Sequence, residues 1–246
     1  VAAAGYVCEV FRSIQGEGPY VGVLQVFVRL AGCSLGCLYC DSQEARRHAV
    51  ECVLSSDRSA RRIANPVEAD ELADFVRVLA ESSPGIHSVS LTGGEPLEQP
   101  DFLLALAGRL AGGAPLYLET NGLFEDAARS IAPLVDIVSM DIKLPSLSGG
   151  ADHFSVYRRV LPIFGGNDLL CKVVLAAGYA PEEFTEAVRL VAEHDAGVPF
   201  VIQPARSTAS CRTVDGETLL RCYLEAARHL EAVRVIPQCH HLLGLP

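Results

Sequence analysis

The sequence has no uninterrupted apolar run of about 18 residues, the length a helix needs to cross a bilayer, so nothing in it reads as a membrane span. Its opening, Val1-Ala2-Ala3-Ala4, lacks the basic start and longer apolar stretch of a secretory signal. Basic charge is scarce: 20 Lys and Arg stand against 30 Asp and Glu, a formal net charge of -10. A protein that binds a phosphate backbone needs basic surface to release counterions, so this balance argues against nucleic acid. Internal repeats and low-complexity segments are missing too. These absences leave a soluble, cytoplasmic protein whose partner is a small molecule or another protein.

A disulfide framework is also absent. The nine cysteines are an odd number, in a chain long enough to fold without covalent staples. Six are scattered and read as small core residues, whereas Cys33, Cys37 and Cys40 lie within eight positions. In a reducing compartment such a cluster points to metal or redox chemistry at one place. With 246 residues, half of them apolar, the chain can bury one sizeable core, and residues 1–246 are expected to form a single domain.

Short runs rich in Val, Ile and Leu predict seven strands, at 23–30, 88–91, 116–118, 137–140, 169–175, 200–202 and 233–236. Leu72, Phe75, Val76 and Leu79 repeat at helical spacing, as do Phe184, Ala187, Val188 and Val191. Pro181 followed by Glu182 and Glu183 suits a first helical turn, and a third helix is predicted from Asp215 to Leu230. Strands alternating with helices imply an α/β fold with a parallel sheet, open or curled into a full or partial barrel. Chemistry then gathers at the C-terminal strand ends. Four polar clusters follow strand runs directly: Thr92-Gly93-Gly94-Glu95-Pro96, Glu119-Thr120-Asn121-Gly122, Asp141-Ile142-Lys143 and Gln203-Pro204-Ala205-Arg206. Only the stretch 43–66 breaks the rhythm, with Arg46, Arg47, Arg58, Arg61 and Arg62 and little periodicity, and it is expected to be an inserted loop.

The cysteines read CxxxCxxC just after a strand, in a loop containing Gly32 and Gly36. Thiolates at this spacing can converge on an iron-sulfur cluster, and a 4Fe-4S cube held by three cysteines keeps one iron free for a small chelating molecule. A zinc staple would need a fourth ligand, with His48 or Cys52 as candidates.

CxxxCxxC with Tyr39 before the last cysteine resembles the radical S-adenosylmethionine superfamily, and Thr92 to Pro96 resembles its GGEP element. The stretch Ser13-Ile14-Gln15-Gly16-Glu17-Gly18, coupled to the cysteine loop and followed by TGGEP, ETNG, the DIK segment, Gln203-Pro204 and the terminal HHLLGLP, resembles the 7-carboxy-7-deazaguanine synthase family over nearly the whole chain. The resemblance implies a homodimeric, modified partial (β/α) barrel. It also implies ring contraction of 6-carboxy-5,6,7,8-tetrahydropterin to 7-carboxy-7-deazaguanine and ammonia in 7-deazapurine (queuosine) biosynthesis. A 4Fe-4S cluster, S-adenosylmethionine, Mg2+ and a flavodoxin- or ferredoxin-type electron donor would serve it.

Carried over by residue, Cys33, Cys37 and Cys40 would hold the cluster. Tyr39, Cys40, Asp41, Gly94, Asp141, Ile142, Lys143 and Gln203 to Arg206 (Gln203, Pro204, Ala205, Arg206) would meet the cofactor. Ile14, Gln15, Gly16, Arg29, Thr92, His240 and a terminal carboxylate on Pro246 would meet the substrate. Ser42 stands where the family usually has the threonine that binds Mg2+, and its hydroxyl is an equally hard ligand. The rival readings are a glycyl-radical activating enzyme and a non-catalytic iron-sulfur or zinc protein.

Overall fold

The computed structural model describes residues 3–56, 59–209 and 211–245. Its strands are β1 (Ala4–Gly5), β2 (Val7–Ile14), β3 (Leu24–Leu30), β4 (Glu51–Ser55), β5 (Ala60–Ala64), β6 (Val67–Glu68), β7 (Ile86–Gly93), β8 (Leu116–Thr120), β9 (Ile137–Asp141), β10 (Asp168–Leu175), β11 (Phe200–Pro204) and β12 (Val233–Val235). Its helices are α1 (Ala69–Glu81), α2 (Pro100–Leu110), α3 (Glu125–Ile131), α4 (Pro145–Ser148), α5 (Phe154–Val160), α6 (Pro181–His194), α7 (Gly216–Ala226) and α8 (Cys239–Leu243). All seven strands expected from the apolar runs are present, as are the three expected helices. The third starts where Asp215 accepts a hydrogen bond from the Thr218 N–H at 2.7 Å and so caps the first turn.

Ten strands form one sheet in the order β12-β11-β10-β9-β8-β7-β3-β2-β4-β5, and β1 pairs with β6 apart from it. The neighbours from β3 to β12 run parallel, as βαβ crossovers require, and β2 joins β3 antiparallel. The stretch expected to be an inserted loop instead carries a hairpin. Its strand β4 pairs parallel with β2 at Glu9–Val53 and Val10–Leu54, and β5 closes it antiparallel. Burial explains why this hairpin is illegible as a strand pair. Cys52 and Leu54 point into the core, but β5 reads Ala-Arg-Arg-Ile-Ala and stays exposed except at Ile63. Arg58 lies outside the described residues.

The sheet curls. Five inter-strand steps of about 4.8 Å separate β2 from β10, so a flat sheet would hold them roughly 24 Å apart. Lys172 on β10 nevertheless bonds Glu17, three residues past β2. Its two faces differ in chemistry. Val26, Val28 and Leu30 on β3, Val89 and Leu91 on β7, and Cys171, Val173 and Leu175 on β10 join the main core under the helices. The alternate positions on the same strands, Gln25, Ser88, Ser90 and Lys172, are buried on the inner face. One end of that inner face is plugged by Tyr117, Ile137 and Leu170, against which Tyr20 packs with its ring at 90° to Tyr117. The C-terminal strand ends stay polar and open.

Candidate active site

Those strand ends surround a cavity of about 860 Å³, into which Cys33, Cys37 and Cys40 project from the loop after β3. The loop is anchored at its start, where Gly32 N–H donates to Ala45 O at 2.7 Å and Glu95 N–H to Gly32 O at 2.7 Å. The glycines of TGGEP make room for the backbone of the cysteine loop. A Cβ on Gly94 would lie 2.0 Å from Gly32 O, and one on Gly93, whose φ is +117°, 2.3 Å from Leu30 O. Glu95 then joins its own turn to the end of β8, accepting from Thr120 Oγ1 at 2.7 Å, Asn121 N–H at 2.7 Å and Leu97 N–H at 3.0 Å. Burial pushes its carboxyl up to about 7 despite those donors.

Burial also raises the Cys33 thiol to about 11 and shifts that of Cys40 upward, so ligation must draw these protons off. Sulfurs sharing one tetrahedral zinc sit about 3.8 Å apart, given Zn–S bonds of roughly 2.3 Å. Among the described residues, the one group of His, Cys, Asp or Glu with ligand atoms all within 4.8 Å is Asp41, His240 and His241. The three thiols are therefore spread wider than one ion requires. Of the candidate fourth ligands, Cys52 is buried in the core and His48 stacks on Tyr6 at 4.0 Å. Three thiols around an open cavity fit a cubane held at three corners.

Beside the thiols lies a chain of paired charges. Lys143 Nζ donates to Asp141 Oδ2 at 2.7 Å, Lys172 Nζ lies 3.6 Å from the same oxygen, and Lys172 also bonds Glu17. Gln238 Nε2 donates to Glu17 at 2.7 Å and to Asp41 at 2.5 Å, tying the C-terminal segment to both ends of the site. Burial opposes ionisation of Glu17, but the Lys172 charge, the bonds from Lys172 and Gln238, and His240 overcome it and hold the carboxyl at about 2. Burial also opposes the Lys172 ammonium, yet Glu17, Asp141 and Glu119 keep its pKa above the ordinary lysine range. Glu119 is raised by burial against the pull of Lys172.

Gln15 is fully committed: Nε2 donates to Gln25 at 2.9 Å and to Glu119 at 3.0 Å, while Oε1 accepts from Glu17 N–H at 3.0 Å. Thr92 Oγ1 donates to the other Glu119 oxygen at 2.8 Å. Arg29 donates to Glu9 at 2.8 Å and to Ser42 Oγ at 3.0 Å, and Ser42 Oγ donates to Asp41 at 3.0 Å. Tyr39 OH, Asp141 Oδ1 and Gln203 Oε1 are buried with no partner among the described residues, which is what a ligand with amino and hydroxyl groups would satisfy. The set of Asp41, His240 and His241 is a weaker metal candidate, because Arg206 reaches within 3.5 Å of His241 Nδ1.

Most residues expected in the site do line this cavity: Ile14, Gln15, Gly16, Arg29, Tyr39, Asp41, Ser42, Thr92, Gly94, Asp141, Lys143, Gln203, Ala205, Arg206 and His240, with the three cysteines. Ile142 does not, because its side chain is fully buried in the helix-facing core, and Pro204 is not part of the wall either. Pro246 lies outside the described residues. Glu17, Glu119, Lys172 and Gln238 also form the wall, though none of them was expected to meet cofactor or substrate. Lys172 had a signal, since a lysine inside the run from Leu169 to Leu175 needs a buried partner.

Residues 28–202 match the Radical SAM superfamily. Two relatives called 7-carboxy-7-deazaguanine synthase are each 36% identical to the chain. The one from Geobacter sulfurreducens aligns over 96% of this chain and 96% of its own, and the one from Methanothermobacter thermautotrophicus over 97% of both. The chain belongs to the 7-carboxy-7-deazaguanine synthase family. The crystal structure of QueE from Escherichia coli superposes with a TM-score of 0.57 at 19% identity, covering 96% of this chain and 95% of that one. A radical SAM methyltransferase from Sphaerobacter thermophilus superposes at 0.58 with 14% identity, over 94% of this chain and 77% of that one. Both likenesses establish the fold, a curled α/β sheet shared by radical SAM proteins, and the family membership rests on the sequence relatives.

Proposed function

We propose that this chain is a radical S-adenosylmethionine lyase that converts 6-carboxy-5,6,7,8-tetrahydropterin to 7-carboxy-7-deazaguanine and ammonia, a product used in 7-deazapurine biosynthesis, including queuosine. One observation carries the reading: the amide and carboxylates of Gln15, Glu17 and Glu119 face the same cavity as the three-cysteine loop. When bound, a 4Fe-4S cluster and S-adenosylmethionine supply a 5'-deoxyadenosyl radical after one-electron reduction. Cys33, Cys37 and Cys40 hold the cluster. Tyr39, Asp141 and Gln203 offer their unpartnered atoms to the cofactor, and Arg206 closes that side.

Glu17 and Glu119 accept the N–H groups of the pterin ring, with Gln15 fixing the distance between them. Thr92 holds Glu119, and His240 covers the ring from the C-terminal side. Arg29 offers its guanidinium to the substrate carboxylate. Ser42 and Asp41 supply hard oxygens for Mg2+ next to that carboxylate, a set that suits this ion. The exposed apolar stripe of Leu220, Tyr223 and Leu224 on α7, beside Val235 at the sheet edge, supports a homodimer. A reducing cytoplasm suits nine free thiols and an iron-sulfur site.

The full-length relatives at 36% identity carry the synthase name, which favours this reading over a glycyl-radical activating enzyme or a non-catalytic metal protein. The test is an anaerobic incubation of reconstituted protein with the carboxytetrahydropterin, S-adenosylmethionine and dithionite, read by mass spectrometry. Formation of 7-carboxy-7-deazaguanine is expected; cofactor cleavage with no change in the pterin would overturn the assignment. Arg29→Ala should weaken substrate binding while leaving the iron content intact.

A further inference from the structure

An acidic protein that must be reduced by another protein meets a charge problem, because small electron carriers of the flavodoxin type are themselves acidic. The rim beside the first cysteine offers a local solution. Arg46 and Arg47 are both exposed there, and among the described residues no hydrogen bond or ion pair holds either side chain. With Glu44 and Gln43 they border a recess that reaches Cys33. One carboxylate therefore faces two guanidiniums.

Their position is fixed by the backbone rather than by their own side chains. Cys33 N–H donates to Arg46 O at 3.3 Å and Gly32 N–H to Ala45 O at 2.7 Å, so the arginines ride on the strip that carries the first thiol. Ala45 is buried beneath them, and His48 is clamped against Tyr6 at 4.0 Å with rings 7° from parallel. The hairpin arginines differ, since Arg61 and Arg62 are each matched to a carboxylate, Glu71 and Glu51, at 3.5 Å.

We propose that Arg46 and Arg47 are the landing site of a small acidic flavodoxin-type carrier, placed to deliver one electron to the iron-sulfur site beside Cys33. This rests on the proposed function. In each transfer the anionic flavin hydroquinone gives up one electron and becomes the neutral semiquinone. A 4Fe-4S cluster held by Cys33, Cys37 and Cys40 would take up that electron and supply the reductive cleavage of S-adenosylmethionine to methionine and the 5'-deoxyadenosyl radical. Rim charges of this kind act mainly on encounter and on salt dependence.

The test compares reconstituted wild type with Arg46→Glu/Arg47→Glu, with Arg46→Lys/Arg47→Lys, and with a charge-matched control on the helical side, Arg189→Glu/Arg228→Glu. Iron content and melting temperature are checked in each. Calorimetry measures flavodoxin binding at low and physiological salt, stopped-flow absorbance follows cluster bleaching by flavodoxin hydroquinone, and dithionite drives cofactor cleavage separately. The glutamate pair should weaken binding by about tenfold, flatten its salt dependence and slow bleaching similarly, with dithionite-driven cleavage unchanged. The lysine pair should keep binding near wild type. Unaltered binding and bleaching in the glutamate pair, or an equal loss in the control, would overturn the proposal. If dithionite produced no cleavage even in wild type, the functional reading would fail on its own, and calorimetry would still decide the docking site.

Discussion

At the scale of single residues, what the sequence displays depends on whether a residue's partners are near it in the chain. The thiols show themselves because all three lie on one loop. Lys172 shows only that a buried partner is needed and not which one: Asp141 sits opposite it on the neighbouring strand β9, whereas Glu17 comes from the turn after β2 and is brought in by the curl of the sheet. Replacing Cys33, Cys37 or Cys40 by Ala should abolish cluster assembly, measured as iron bound per chain after reconstitution. Lys172→Met leaves the Glu17 carboxylate in the interior without its counter-charge and should cost about 3 kcal/mol in a urea titration. Since Glu17 sits at about 2 against an ordinary 4.5, its contribution is complete above pH 4.5 and is lost as the pH falls toward 2. The gap between wild type and variant should narrow across that window.

Glu95 has the opposite sign. Its carboxyl is raised from 4.5 to about 7, so the folded state holds the extra proton, and stability from this group declines as pH rises between those values. Glu95→Gln removes the titration and turns an amide NH2 toward a backbone or hydroxyl donor. A loss of about 1–3 kcal/mol is expected, together with a flatter stability profile from pH 4.5 to 7.

At the scale of elements, the parallel strands were legible because each is an apolar run between turns. The hairpin of β4 and β5 was not, since it is held by pairing to β2 and by two inward side chains rather than by a two-sided apolar strand. The β2 strand itself is broken by a bulge between Val7 and Glu9, which disturbs the alternation. A hairpin anchored in this way gives an asymmetric prediction. Leu54→Ala should cost about 3 kcal/mol by leaving a cavity in the core, whereas Arg62→Ala on the exposed face should change stability by less than about 0.5 kcal/mol. Chemical denaturation of both variants separates an integral hairpin from a loose loop.

At the scale of the whole molecule, a single curled sheet keeps its helices on one side and turns its polar alternate positions toward the cavity, so fold and site share one pattern of alternation. The alternation was hidden in sequence because its polar members are few and small: Ser88, Ser90 and Ser139 read as gaps in apolar runs. Cluster binding should tie the loop of residues 33–40 to the sheet and raise the melting temperature. Each kcal/mol of ligation energy is worth roughly 2–4 °C in a chain of this size. Calorimetric scans before and after anaerobic reconstitution would measure it.

Cys239 N–H donates to Gly16 O at 2.8 Å, and a methyl group on Gly16 would collide with the His240 ring. The first and last parts of the chain are thus latched across the cavity, over 200 positions apart. During translation, therefore, the pocket cannot be sealed until residues 238–241 have left the ribosome. A product of interrupted synthesis would carry the cysteines but an unlatched chamber, and would be unable to confine a radical.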